Sequence, residues 1–200
     1  MSNLYNIASY KNKIINLLLK NEAFVKLINP EPSECKDLDI YDVLLGGEWI
    51  INGVRHEEQG HIFDHNFVDD TTTDEKTFVF VETGVEYIRN NVFADFSLFI
   101  CIFTAKKLVR LTDVSIPTAA EVKEMGYFAG INGNRIDVLC DIVDRTINGS
   151  IKIPGIGFVK PDARAYVTQY CPNNKYYGKC LKYSITNYID NDGGDICENQ

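Results

Sequence analysis

Basic residues are in short supply. The chain of 200 residues carries 20 lysines and arginines against 28 aspartates and glutamates, a formal net charge of −8 with histidine neutral. A general nucleic-acid binder needs a basic face to displace phosphate counterions, so this balance argues against that class. Long apolar runs are absent too. No stretch of about 18 apolar residues occurs, which leaves no candidate for a membrane-spanning helix. The segment Met1–Lys20 has Lys11, Lys13 and Lys20 scattered among apolar residues. It lacks the basic-apolar-small order of a secretory signal, and we expect the protein to stay in a reducing cytoplasm. There is no CxxC pair, no GxSxG elbow and no phosphate loop with its lysine, so three common chemistries have no local signature.

What is present is an ordinary globular composition, with 45% hydrophobic and 24% charged residues. That is enough for one sizeable core, and we expect a single domain over 1–190 with a flexible acidic tail over 191–200. The six cysteines, Cys35, Cys101, Cys140, Cys171, Cys180 and Cys197, are loosely spaced. Cys101 falls in an apolar strand and Cys140 on an apolar helix stripe, which suits buried free thiols. Cys171 and Cys180 flank a turn and are the one pair worth testing for a disulfide.

Hydrophobic spacing supplies the elements. Ile136, Leu139, Cys140, Val143 and Ile147 recur as one helix face over Asn134–Gly149, with Asn134 as N-cap and Gly149 as C-cap. Asp137, Asp141, Asp144 and Arg145 take the outer side. Leu4–Leu19 reads as an amphipathic helix, and a second short one starts after Asn21 and stops before Pro30. Thr77–Thr83 is a strand, Gly84–Asn91 a turn, and Phe93–Thr104 a longer strand, apolar on both sides and therefore central. Pro117 opens a helix over Thr118–Met125. Ile151–Ala163 is a connection punctuated by glycine and proline. Arg164–Tyr170 and Gly178–Ile189 alternate as two antiparallel strands joined by Pro172-Asn173-Asn174. The predicted class is α+β: an antiparallel sheet of about four strands, helices packed on one face, and a long extended insertion or arm over 31–76. Within that insertion we expect a short helix at Asp39–Leu45 and a small hairpin near Glu48–Arg55.

Candidate chemistry is sparse. His56, His61 and His65 lie close in sequence with Glu57, Glu58, Asp64 and Asp69 nearby, so a metal site or an enzyme built on this His56–Asp70 cluster is one reading. The spacing lacks the i, i+4 pair of a zincin helix, and a solvated loop is the plainer reading. Asp69-Asp70-Thr71-Thr72-Thr73-Asp74-Glu75 departs from a calcium loop and reads as an exposed turn. Gly155-Ile156-Gly157 and Gly130-Ile131-Asn132-Gly133 do not complete a nucleotide fingerprint. No catalytic residue, cofactor or metal is expected. Lys106, Lys107 and Arg110 form a basic patch that would complement the Asp69–Glu75 run of another copy, while Trp49, Ile50 and Ile51 would suit a contact between subunits.

The stretch Ile62-Phe63-Asp64-His65-Asn66-Phe67-Val68-Asp69-Asp70-Thr71-Thr72-Thr73-Asp74-Glu75-Lys76-Thr77-Phe78-Val79 resembles structural proteins of tailed bacteriophages. So do Phe93–Ile100, Gly133–Leu139 and Leu18–Val25. The order of elements is similar to the tail-terminator and head–tail connector group at the phage neck, apart from the long 31–76 insertion. That resemblance implies a non-enzymatic virion protein, assembled in the host cytoplasm, whose copies form a ring, commonly a hexamer. It implies the tail tube or sheath and the head connector as partners, with DNA passing through the lumen unbound. An acidic lumen fits, because it would repel phosphate. A monomeric adaptor is the remaining alternative. If the arm carries assembly, deleting 46–70 should leave a folded core that makes no rings.

Overall fold

The computed structural model describes residues 7–28, 38–66, 74–89, 93–111, 134–148, 153, 156, 158–162 and 166–187. Four helices are described: α1 (Ile7–Leu19), α2 (Glu22–Ile28), α3 (Ile40–Leu45) and α4 (Arg135–Ile147). The strands are β1 (Gly47–Ile51), β2 (Val54–Glu58), β3 (Ile62–Phe63), β4 (Thr77–Arg89), β5 (Phe93–Ala105), β6 (Phe158–Pro161), β7 (Val167–Tyr170) and β8 (Tyr176–Asn187). A short 3-10 turn, Lys106–Leu108, follows β5.

β1 and β2 form a ribbon of their own, and the other six strands make one sheet ordered β3-β4-β5-β8-β6, with β7 also on β8. The sheet is therefore larger than the four strands expected. It is antiparallel except for β3, which runs parallel to β4. β5 lies between β4 and β8, as its two apolar faces require: Ile100 and Ile102 point one way and Cys101 and Phe103 the other, and all four are buried. β6 and β7 run end to end along the outer edge of β8, β7 opposite Gly178–Leu181 and β6 opposite Tyr183–Thr186.

Helices cover one face. α1 lies on β4, α4 on β5 and β8, and α2 braces α1 and α4. Their apolar stripes meet Val79, Val81, Leu98, Ile100, Leu181 and Ile185 in the main core. The predicted N-caps form: Asn134 Oδ1 accepts from Ile136 N at 2.9 Å and Asn21 Oδ1 from Phe24 N at 3.2 Å. Asn21 also donates to Thr146 Oγ1 at 2.9 Å, which ties the entry of α2 to the end of α4. The opposite sheet face carries an aromatic cluster of Phe78, Phe80, Phe103 and Tyr176, with Phe63 and Tyr170 against it. Its rings meet edge to face or tilted, for example Phe103 and Tyr176 at 5.5 Å and 85°. Gly178 makes room for it, since a side-chain carbon there would collide with the Ile102 carbonyl and the Phe103 backbone.

Several expectations need correction. Gly84 is not a turn residue but lies within β4, opposite Ser97, where the Phe99 ring comes within 3.6 Å of the space its side chain would fill. Part of the connection before Ala163 is a strand, β6, because its backbone completes the pairing of β8. In the 31–76 segment the expected short helix and hairpin are present as α3 and β1–β2, and the one unforeseen element in its described part is the edge strand β3. The expected cysteine chemistry is overturned as well. Register sets Cys101 directly opposite Cys180, Cα to Cα 4.0 Å, and the two are joined as a disulfide. Cys171 is exposed and free, so the pair flanking the turn is not the bonded one; Cys140 is a buried free thiol as expected. Cys35, Cys197, Gly149 and the Thr118–Met125 helix lie outside the described residues.

Candidate functional site

The arm begins with α3. Asp39 and Asp42 form a reciprocal capping box, Asp39 Oδ1 accepting from Asp42 N at 2.9 Å and Asp42 Oδ2 from Asp39 N at 3.0 Å. Gly46, at φ 68°, ends the helix and turns the chain into β1. The hairpin tip is Asn52-Gly53, both at positive φ (51° and 79°), the backbone of a type I′ turn whose twist suits two paired strands. Trp49 faces His56 and Ile51 faces Val54 on one side; Ile50 faces Arg55 and Glu48 faces Glu57 on the other. Arg55 reaches Glu48 in an exposed ion pair. The arm is anchored at its base, where His61 N donates to Leu44 O at 2.7 Å and Val79 N to His61 O at 2.7 Å.

Beyond that base the hairpin is on its own. None of its residues belongs to either core cluster. Ile50 is 80% exposed, and Val54, Ile40, Tyr41 and Leu45 are also exposed. These make up five of the six large apolar side chains found exposed among the described residues, the sixth being Val167 on β7. Trp49 and Ile51 are half-buried, the Trp49 ring folding back over Gly47. A two-stranded ribbon without a third layer is marginal in water, which makes this the part of the fold most in need of a partner.

The histidines do not converge. His56 sits on β2, and exposed His65 pairs with Asp64 at 2.7 Å, a contact that holds the Asp64 carboxyl below its ordinary range. His61 is 2% exposed and its Nδ1 lies 2.8 Å from the Thr77 carbonyl, which can only accept, so the ring donates there and fastens β3 to β4. Among the described residues no three His, Cys, Asp or Glu come together as a metal-holding group. Lys107 turns back to Glu75 of its own chain, while Lys106 and Arg110 are exposed. Asp69 and Asp70 lie outside the described residues.

Buried polar groups elsewhere are fasteners. Arg135, 2% exposed, donates to Leu27 O at 2.6 Å and Leu108 O at 3.0 Å, joining α2, α4 and the 3-10 turn after β5. Desolvation lowers its pKa from the usual guanidinium value. The Tyr183 hydroxyl donates to Asp144 Oδ1 at 3.1 Å and locks α4 on β8. Burial pushes the Tyr183 hydroxyl and the Cys140 thiol up, the latter to about 12, which keeps it protonated and a poor nucleophile. Sequence reasoning missed the role of Arg135 and the bond of Tyr183 to Asp144, a residue it puts on the outer side of the helix. Arg135 lies next to the N-cap of an amphipathic helix, a place where an arginine ordinarily reads as surface.

Fold and surface together define a small α+β protein whose most distinctive exposed feature is an apolar hairpin arm. A family model, YomW, matches residues 14–185, and the chain belongs to the YomW family. The match marks it as a phage-associated protein. No curated protein and no solved structure matches the chain.

Proposed function

We propose that this is a non-enzymatic virion structural protein, a ring-forming tail terminator at the phage neck that caps the tail tube and joins it to the head connector. The observation that carries the reading is the β1–β2 arm, which spends Ile50 and Val54 on solvent while the sheet beside it has a complete core. Apolar side chains held out on a rigid turn are the usual preparation for a protein–protein contact. The family match supports the phage setting, and the net charge of −8 suits a lumen through which DNA slides.

The test is the native mass of the purified protein, with negative-stain images of the same sample. A closed ring of several copies supports the reading. A monomer at every concentration, with stoichiometric binding to one phage protein, replaces it with an adaptor role. The structure also refines the deletion that probes the arm. A cut reaching residue 70 would remove buried His61 and Ile62, so it is confined to 47–58, whose ends Gly47 and Glu58 pair and can be bridged by a short glycine link.

A further inference from the structure

The arm and the opposite edge of the sheet carry opposite charge. Residues 38–59 hold five carboxylates, Asp39, Asp42, Glu48, Glu57 and Glu58, against one base, Arg55. The arm springs from the β3 edge, because α3 packs on β3. Four strands away, β6 and β7 form the other edge, and among the described residues nothing pairs with their outer side. That edge is basic. Lys160 on β6 and Lys175 at the β7–β8 turn are exposed, and Lys106 adjoins Lys175 through a backbone hydrogen bond of 2.9 Å. None of the three has a carboxylate partner among the described residues. The one described carboxylate at this edge, Asp162, is buried and paired with Lys182 at 2.9 Å. Exposed Val167, with Thr168 and Gln169, offers an apolar and hydrogen-bonding strip between the lysines.

We propose that the acidic β1–β2 arm of one copy docks on the basic β6–β7 edge of the next copy. This rests on the ring reading and specifies how the ring closes. The occupant is a second copy because the two complementary surfaces sit on one chain yet at opposite edges of one sheet, so neither can satisfy the other within the same molecule. A contact between two different patches is heterologous, and repeated by a fixed rotation it closes a ring rather than a two-fold dimer. Ile50 then meets Val167, and Glu48 and Glu57, which share its face of the ribbon, are the carboxylates brought toward Lys160 and Lys175. The unpaired backbone edge of β7 gives the ribbon the third strand it lacks.

The experiment is a charge swap read by native mass spectrometry at low and high salt. The edge variant K160E/K175E and the arm variant E48K/E57K each raise the concentration needed for rings by about tenfold, equivalent to about 1.4 kcal/mol. The fourfold variant restores it to near wild type. Added salt weakens the wild-type ring and spares a purely apolar one. Circular dichroism melts show that each variant is folded, and the fourfold variant guards against a fold defect being mistaken for lost contact. Rings that persist unchanged in both double variants overturn this docking and leave the ring reading standing. Rings lost in the double variants but not restored by the fourfold swap also overturn it. Wild-type protein that never forms rings overturns both.

Discussion

Two isoleucines in similar β-strands have opposite fates. Ile100, in the middle of β5, has no exposed surface, whereas Ile50, in the middle of β1, is 80% exposed. Both sit in short apolar runs. The difference is what lies above and beside each strand: β5 has neighbours on both edges and covered faces on both sides, and β1 has one neighbour and no layer of its own. Apolar side chains stabilise this protein where the tertiary fold supplies neighbours. Where it does not, they are left for contact with something else.

That contrast can be broken at several points. Leu139→Ala on the buried face of α4 should cost about 2–5 kcal/mol in denaturant unfolding, since it leaves a cavity in the main core. A loss under 1 kcal/mol would mean that the helix layer is looser than its burial implies. Gly178→Ala should cost about 1–3 kcal/mol, because the new methyl meets backbone on β5 and not a side-chain tip that can swing away.

A smaller effect is expected at alkaline pH. Burial raises the Cys140 thiol from 9.0 to about 12 and the Tyr166 hydroxyl from 10.0 to about 12, so the folded state favours the protonated forms. Their contribution is therefore complete below pH 9 and is lost as pH rises from about 9 to about 12. Cys140→Val should make that decline shallower in melts taken across the range; an unchanged slope would exonerate the thiol. The smallest stability effect belongs to the arm. Ile50→Asp should shift unfolding by no more than about 0.5 kcal/mol while abolishing self-association in sedimentation. A large loss of stability would place Ile50 inside the fold and end the contrast.

Local pattern foretold local structure. The i, i+3, i+4 spacing after Asn134 located α4 and its cap, and the double-sided apolar run Phe99–Phe103 marked the central strand. The alternation over Gly178–Ile189 marked β8 as a strand. The short helix and hairpin of the arm were also legible, from a capping aspartate and an apolar run ahead of Asn52-Gly53. What escaped was pairing at a distance. Nothing near Cys180 points to Cys101, because their meeting depends on the register of two strands 79 residues apart. β6 escaped for the same reason: four residues among glycines and prolines become a strand only when β8 offers an edge. Lys107 read as surface charge for another copy, but a strand end brings it to Glu75 of its own chain.

The position of β8 also bears on how the chain comes off the ribosome. β4 and β5 are close in sequence and can pair early, but the second edge of β5 waits for β8, whose Cys180 follows Cys101 by 79 residues. At about 5–20 residues per second of synthesis, that edge stays open for about 4–16 seconds, with Ile100 and Ile102 on one side and Phe103 on the other. During that interval the nascent chain presents an apolar strand with one free edge, the kind of surface that sticks to other nascent chains. Slowed translation between residues 105 and 176 should therefore lower soluble yield, and a codon change in that window is a way to see it.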